Sequence, residues 1–296
     1  MLDNMKAAIL FEQLLKRHDI NKAYAMVPPT DPWHDTISKV HESLRQIRRQ
    51  PHANWEILSH DGLPLRAVYY PCEGSRTTVL CAHGYTSHAE REWAFPGLFY
   101  LSLGFNVLIP YQRAHGPSEG KYITFGALEA RDMEQWVDTI NEMTPEGNII
   151  LHGLSMGGTV VLNMADKSLK NVRCIIADAP STGVEDMFRN VARSVFKQES
   201  EPVAEAMLAR FAKRFGVAAS ACNIWDHVAA SCYPILFAAG SEEKQDAFLT
   251  ELAQSCPQPT QLAILPGCNH GNGMYKQTEM FQSAIRSFVC RYIQDA

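Results

Sequence analysis

A serine between two glycines, in the stretch Gly-Leu-Ser-Met-Gly at residues 153–157, is the part of this chain whose residue types most clearly suggest chemistry. Residues 148–152 before it are short and β-branched, which is typical of a buried parallel strand, and residues 158–165 can continue as a helix. A serine at such a strand-to-helix turn has a strained backbone, and its hydroxyl points out over the sheet edge. The pattern therefore predicts that Ser155 is a nucleophile and that the Met156 N–H, at the helix start, can bind a developing negative charge.

A serine hydroxyl is a poor nucleophile at neutral pH and needs a base held close to it. His270 lies in a glycine-flanked loop after the last predicted strand, from where it can reach the same sheet edge as Ser155. The base in turn needs a carboxylate that holds its tautomer. Glu242 and Glu243 follow the penultimate predicted strand, and Asp178 ends the strand before that one. The residues themselves leave the choice of acid open among these three.

The elements that must position these residues are strands and helices that alternate from residue 55 onward. The first two strands are predicted as a hairpin over residues 55–70. Further strands are predicted at 78–82, 105–110, 148–154, 172–178, 234–239 and 261–265. Helices are predicted near 90–103, 124–143, 155–167, 244–254 and 277–293. Such alternation predicts an α/β fold with a mostly parallel, eight-stranded sheet covered by helices on both faces.

Two segments lie outside this alternation. Residues 1–50 are predicted as an N-terminal helical extension, with helices over 6–18 and 35–50 and prolines between them that forbid one continuous helix. Between Asp178 and Pro234 the chain is much longer than a crossover requires, and apolar residues recur at helical spacing. We interpret this stretch as a helical cap above the carboxyl ends of the strands, where open α/β sheets bind ligands. We expect most of its apolar residues to pack the cap against the body of the protein. Some of them are also expected to line an acyl or aromatic pocket, and the cap to set a chain-length preference.

The composition is that of an ordinary globular protein: 296 residues, 46% hydrophobic and 20% charged. A net charge of −5 gives no electrostatic basis for binding nucleic acid, and no apolar stretch is long enough to span a membrane. The 8 cysteines form no C-x-x-C pair and no spacing suited to zinc, so we expect no metal and no cofactor. A cytoplasmic location is expected, and the oligomeric state stays open.

Taken together, these motifs resemble those of serine hydrolases with the α/β-hydrolase fold. The chain is similar to uncharacterised bacterial esterase-like proteins that neighbour the prolyl-oligopeptidase-type hydrolases. The resemblance covers residues 55–293 and also rests on the order serine, acid, histidine along the chain. Its motifs are His83-Gly84-Tyr85, residues 113–120, Gly153 to Gly158 and Gly267 to His270. It implies an α/β-hydrolase domain over residues 51–296 that includes the helical cap at 183–232.

The resemblance also implies a role for each candidate acid. In this family the acid is normally an aspartate three residues after the glycine that ends the penultimate strand, and that position here holds Glu243. A glutamate is one methylene longer, so its loop must be set back. Asp178 stands where some lipase-like members carry their acid, and Glu242 precedes the family position. Glu243 is therefore the preferred partner of His270, with Asp178 and Glu242 as alternatives.

By the same resemblance, the N–H of Tyr85 is the second oxyanion donor beside that of Met156. His83 is expected to pack inside the protein, and His115 is expected to be a loop histidine without a catalytic role. The implied activity is hydrolysis of a small-molecule carboxylic ester, with a small or medium acyl group, through an acyl-enzyme. A serine peptidase of the prolyl-oligopeptidase type and a non-catalytic binding protein on the same fold are the alternatives.

Overall fold

Eight strands form one sheet at the centre of the computed structural model, which describes residues 2–18 and 28–293. The strands are β1 (Ala53–Leu58), β2 (Pro64–Tyr70), β3 (Thr77–Ala82), β4 (Asn106–Tyr111), β5 (Asn148–Leu154), β6 (Val172–Asp178), β7 (Ile235–Gly240) and β8 (Thr260–Leu265). Their order across the sheet is β1-β2-β4-β3-β5-β6-β7-β8. Strand β2 pairs antiparallel with β1 and β4, and the other neighbours are parallel. The predicted hairpin and the mostly parallel sheet are both confirmed.

Helices cover both faces of this sheet. They are α1 (Leu2–Leu15), α2 (Ile37–Ile47), α3 (Ala89–Ser102), α4 (Glu129–Met143), α5 (Met156–Leu162), α6 (Val184–Phe196), α7 (Ser200–Phe215), α8 (Ile224–Ala229), α9 (Asp246–Ser255), α10 (Gly273–Lys276) and α11 (Thr278–Val289). Since successive strand residues point to opposite faces, Val79 and Ile176 pack with α2, α3 and α11, while Leu80 and Ile175 pack with α4, α5, α8 and α9. This architecture is the predicted α/β-hydrolase fold.

No helix within the described ranges is both long enough and apolar enough to cross a membrane.

Helix α4 begins at Glu129 rather than near residue 124, where the sequence pattern placed its start. The Glu129 carboxylate accepts the N–H groups of Thr124 (2.7 Å) and Gly126 (2.9 Å). Phe125 (φ 50°) and Gly126 (φ 101°) both have positive φ, which a right-handed helix excludes. Apolar periodicity therefore continues upstream of the true helix start because these residues are buried in a turn.

The N-terminal extension is packed against two different parts of the molecule. Helix α1 lies on the cap, where the Phe11 ring is 6.1 Å from the rings of both Phe188 and Phe215, measured between centroids. Helix α2 lies on α3 at a close contact, because a Cβ on Gly97 would stand only 2.8 Å from Cδ1 of Ile47. The extension therefore contacts the cap at one end and the helical layer over the sheet at the other.

Helix α5 approaches the sheet so closely that two positions at this turn, Gly153 and Gly157, have no room for a side chain. A Cβ on Gly157 would overlap the carbonyl group of Ala82 in β3, and a Cβ on Gly153 would overlap the Gly157 carbonyl. A Cβ on the neighbouring Gly158 would lie 3.2 Å from its nearest neighbours, which are atoms of Asp178 and Pro180. Only Gly157 and Gly153 are thus required by backbone-to-backbone contact.

We predict that Gly157→Ala lowers the free energy of unfolding by about 3 kcal/mol or more, because rigid backbone must move to admit the methyl group. Gly158→Ala serves as the matched control, since its neighbours need give only slightly and alanine favours a helix; the change should stay within about 1 kcal/mol. Urea unfolding followed by circular dichroism measures both. Equal stability of the two variants would contradict the packing described.

Candidate active site

Ser155 lies at the turn between β5 and α5, at the carboxyl edge of the sheet. Its backbone has φ 56° and ψ −119°, a conformation that costs free energy for any residue with a side chain. The turn is held by a hydrogen bond from the Ser155 N–H to the carbonyl oxygen of Asp178 (2.8 Å) and by the glycine contacts of α5. This is the strained strand-to-helix turn that the sequence pattern predicts.

His270 lies in the loop after β8 and links Ser155 to a carboxylate. Its Nε2 is 2.8 Å from Oγ of Ser155, and its Nδ1 is 2.6 Å from Oε2 of Glu243. Because Nδ1 faces an acceptor-only carboxylate, the ring proton is assigned to Nδ1, and Nε2 is left as an acceptor for the serine hydroxyl. The three groups therefore stand in the geometry of nucleophile, base and orienting acid.

The Glu243 carboxylate is fixed at both of its oxygens. Glu243 ends a single 3₁₀ turn, Ser241–Glu243, that follows β7 directly. Its Oε1 accepts the N–H of Gly240 (2.9 Å), its Oε2 faces His270, and only 7% of the side chain is exposed. The turn thus sets the longer glutamate side chain at the right distance from the imidazole.

Besides the bond between Glu243 and His270, two further hydrogen bonds join this acid-bearing turn to the histidine loop. The N–H of Glu242 donates to the carbonyl oxygen of Cys268 (3.0 Å), and the N–H of Gly267 donates to Oγ of Ser241 (2.9 Å). The carboxylate of Glu242 is exposed and accepts a hydrogen bond from Ser241 (3.2 Å). Glu242 therefore contributes its backbone to the site, while the carboxylate next to the imidazole is that of Glu243.

Asp178, the other candidate acid, is buried at the end of β6 close to the same imidazole. Burial, and then the charge of Glu243, raises the pKa of its carboxyl group to about 7. The hydrogen bond from His270 to Glu243 raises the pKa of the histidine, and burial of the ring partly offsets that increase. The imidazole of His270 is therefore hydrogen-bonded to Glu243, and the influence of Asp178 on this ring is electrostatic.

Two buried histidines hold the loop that carries Tyr85. His83 Nε2 accepts the N–H of Gln112 (3.1 Å), and His115 Nε2 accepts the N–H of Thr86 (3.2 Å). Burial lowers the pKa of His115 to about 4 and that of His83 well below its usual range. Both rings are therefore neutral parts of the loop structure, as predicted from the sequence.

The N–H groups of Tyr85 and Met156 are the two candidate oxyanion donors. Within residues 2–18 and 28–293, no hydrogen bond uses either N–H. The Tyr85 side chain is engaged elsewhere: its hydroxyl donates to the carbonyl oxygen of Leu14 (2.7 Å), and its ring lies 4.7 Å from that of Phe125. Helix α1 thus fixes the tyrosine ring, and the backbone amide is the part of Tyr85 available to a ligand.

A cavity of about 290 Å³ opens beside Ser155 and His270. Its walls come from residues 31–41, the Tyr85 loop, the start of α3 and the histidine loop. Contrary to expectation, no described residue of the cap at 183–232 lines this cavity. The apolar stripes of α6 and α7 are used instead to pack the two helices against each other and against α1.

Two features of this cavity were not anticipated from the sequence. The first is the wall formed by residues 31–41: the sequence predicts a helix from residue 35, but its apolar pattern does not show that the start of this helix and the residues before it face Ser155. The second is Glu92, whose Oε1 accepts the N–H of Gly84 (2.8 Å) and whose pKa is raised by burial to about 7. A carboxyl group in α3 therefore supports the loop that carries the candidate oxyanion donor.

Among the described residues, one group of side chains is close enough together to hold a cation: His60, Asp61 and Asp132. The guanidinium of Arg113 forms ion pairs with both carboxylates, at 2.6 Å to Asp132 and 3.0 Å to Asp61. A positive charge from the chain itself already neutralises this cluster, and we interpret it as a structural salt bridge.

Residues 73–225 match the model of the Hydrolase_4 family, described as serine aminopeptidase, S33. Among solved structures, the Pyrococcus furiosus esterase Pf2001 is 25% identical, with a TM-score of 0.63, and the match covers 86% of this chain and 96% of that chain. Est1E from Butyrivibrio proteoclasticus, solved with ferulic acid bound, is 17% identical with a TM-score of 0.61, over 80% of this chain and 98% of that chain.

A curated relative is the uncharacterized protein YqkD of Bacillus subtilis, which is 29% identical over 176 residues. That match covers 59% of this chain and 55% of YqkD, so the chain spans only about half the length of this relative. The family model, in contrast, covers more than half of the chain. The chain therefore belongs to the Hydrolase_4 family (serine aminopeptidase, S33) of the α/β-hydrolase superfamily.

Proposed function

We propose that this protein is a serine hydrolase that cleaves a carboxylic ester through an acyl-enzyme. The observation that carries the proposal is the continuous path of hydrogen bonds from Oγ of Ser155, through both ring nitrogens of His270, to the Glu243 carboxylate. Each of the two distances is within hydrogen-bond range, and the histidine tautomer that Glu243 favours is the one that can take the serine proton.

In the proposed mechanism, Ser155 Oγ attacks the ester carbonyl while His270 Nε2 takes its proton. The N–H groups of Met156 and Tyr85 stabilise the oxyanion of the tetrahedral intermediate. His270 then gives the proton to the departing alcohol, which leaves the acyl group on Ser155. Water, deprotonated by His270, then attacks this acyl group. The bond from the acyl carbon to Ser155 Oγ breaks, His270 returns the proton to Oγ, and the carboxylic acid leaves. Glu243 keeps the imidazole oriented and stabilises its protonated form throughout.

An ester is the preferred substrate because of two neighbours in fold. Pf2001 is named an esterase, and the Est1E structure contains ferulic acid. A serine peptidase of the prolyl-oligopeptidase type is the second candidate, favoured by the description of the matching family as a serine aminopeptidase. The same groups would act on an amide, so parallel assays with p-nitrophenyl esters and p-nitroanilides of the same acyl group separate the two functions.

Ser155→Ala should abolish hydrolysis while the protein stays folded, because the mutation removes only the nucleophilic oxygen. A fluorophosphonate probe should label the wild-type protein at Ser155 and should leave the variant unlabelled. Circular dichroism and thermal unfolding check the fold. Wild-type protein that is folded yet neither labelled nor active on any ester or amide would support the third alternative, a non-catalytic binding protein.

Glu243→Gln should lower kcat by about 10⁴-fold, since the imidazole loses the carboxylate that orients it. Asp178→Asn should cost far less, because Asp178 forms no hydrogen bond to the imidazole among the contacts described. Glu242→Gln is the matched control with the same chemical change in an exposed neighbour, and it should be close to wild type. Single-turnover rates on one activated ester decide the order; a larger loss in Asp178→Asn than in Glu243→Gln would move the acid to β6.

The pH dependence of kcat/KM should show an acidic limb that belongs to His270. The base works only when it is neutral, and the pKa of His270 is raised. As the pH falls, activity should therefore be lost at a higher pH than it would be with an ordinary histidine. In Glu243→Gln the main cause of the increase is gone and the desolvation of the ring remains. The limb should therefore move to lower pH in the residual activity of this variant, and an unmoved limb would show that Glu243 does not act on His270.

A further inference from the structure

Trp33, from the N-terminal extension, contacts the histidine loop directly. Its indole Nε1–H donates to the carbonyl oxygen of His270 (3.2 Å). A Cβ on Gly271 would lie 3.3 Å from the Trp33 ring, and the ring meets Tyr275 edge-on with 5.6 Å between centroids. One side chain thus fixes the backbone of the proposed base and covers the residue after it.

The segment that carries Trp33 is held in place near Trp33 itself. The Trp33 N–H donates to Oδ1 of Asp31 (2.8 Å), and the carbonyl oxygen of Pro32 accepts from Nδ2 of Asn272 (3.2 Å). Asn272 belongs to the same loop as His270. The position of the indole therefore follows from contacts with the hydrolase domain and from a local turn.

The other end of the segment is held at the start of α2. The Lys39 ammonium donates to Oγ1 of Thr278 (2.8 Å) and lies 4.1 Å from the centre of the Phe95 ring. Along this segment, Trp33, Ile37 and Val40 present an apolar surface to the cavity beside Ser155. The segment is thus built as a fixed wall of the cavity.

We propose that residues 31–41 are the specificity wall of this enzyme, and that Trp33 is in addition a positioning residue for His270. The inference rests on the proposed ester hydrolysis and names its substrate class: an ester with a compact apolar substituent, aromatic or branched, that packs on Trp33, Ile37 and Val40. A cavity of about 290 Å³ is at the small end of ligand pockets, which favours a small or medium group. The substituent can belong to the acyl or to the alcohol side.

The test uses two series of esters and the intact protein. One series varies the acyl group of p-nitrophenyl esters from acetate through butyrate and octanoate to benzoate, and the other varies the alcohol of acetate esters. In Trp33→Ala, kcat/KM for the preferred apolar ester should fall roughly tenfold or more relative to the smallest ester, mainly through KM. The series in which this preference is lost identifies the side of the ester that the wall binds.

The positioning role is tested with Trp33→Phe, which keeps an aromatic wall and deletes the indole N–H. We expect kcat to fall between about twofold and tenfold by the same factor for every ester, with the order of preference preserved. Ile37→Ala removes part of the wall but not the hydrogen bond, so it should shift the preference between esters, mainly through KM, without the uniform fall in kcat expected for Trp33→Phe. A merely structural effect of Trp33 would not separate kcat from KM in this way.

Val195→Ala, in an exposed position of the cap helix α6, is the matched control and should change neither constant. Fluorophosphonate labelling of Ser155 in every variant shows that the site is intact. If Trp33→Ala and Ile37→Ala are labelled and keep the wild-type preference, the specificity wall is refuted while the proposed function stands. If the wild-type protein hydrolyses no ester, the proposed function falls, and this inference falls with it.

Discussion

The close approach of helix α5 to the sheet is the constraint on which the site depends. Because Gly157 lies against the carbonyl group of Ala82, and Gly153 against Gly157, the helix can start directly at the end of β5. Ser155 must then adopt a positive φ, which is unfavourable and is stabilised by the bond to the Asp178 carbonyl. The same contacts that bury the small residues leave the hydroxyl at the sheet edge, within reach of His270.

Three carboxyl groups surround one imidazole, and their environments give them different properties. Glu243 forms the hydrogen bond that raises the pKa of His270. Asp178 and Glu92 are desolvated, which raises the pKa of each to about 7 and disfavours further negative charge beside the histidine. Under the proposed mechanism this arrangement concentrates the negative charge on the one carboxylate that orients the base. It also limits repulsion of an oxyanion formed at Ser155.

The N-terminal extension holds the site from two sides. On the oxyanion side, the carbonyl oxygen of Leu14 in α1 accepts a hydrogen bond from the Tyr85 hydroxyl. On the histidine side, Trp33 donates to the backbone of His270. Deleting or replacing this extension would therefore disturb both the proposed oxyanion donor and the proposed base, although no residue of it takes part in the bond-making steps. The cap, in contrast, shares an apolar cluster with α1, Met156 and Tyr85, and none of its described residues lines the cavity.

Local patterns in the sequence were enough to predict the sheet, the turn at Ser155 and a histidine, His270, placed to reach it. These features depend on apolar strands, glycines at a tight turn and a loop after the last strand. It left three candidate acids: Glu242 and Glu243, which are adjacent residues after β7, and Asp178, which ends β6. Which carboxylate contacts Nδ1 of His270 became clear only from the tertiary structure, since that contact depends on a 3₁₀ turn after β7 and on hydrogen bonds between two loops distant in sequence.

Apolar periodicity likewise located the helices of the cap but did not show what they pack against. The sequence also did not reveal that residues 31–41 form the cavity wall. That position depends on contacts between segments 240 residues apart, such as Pro32 with Asn272, and apolar periodicity does not record such contacts.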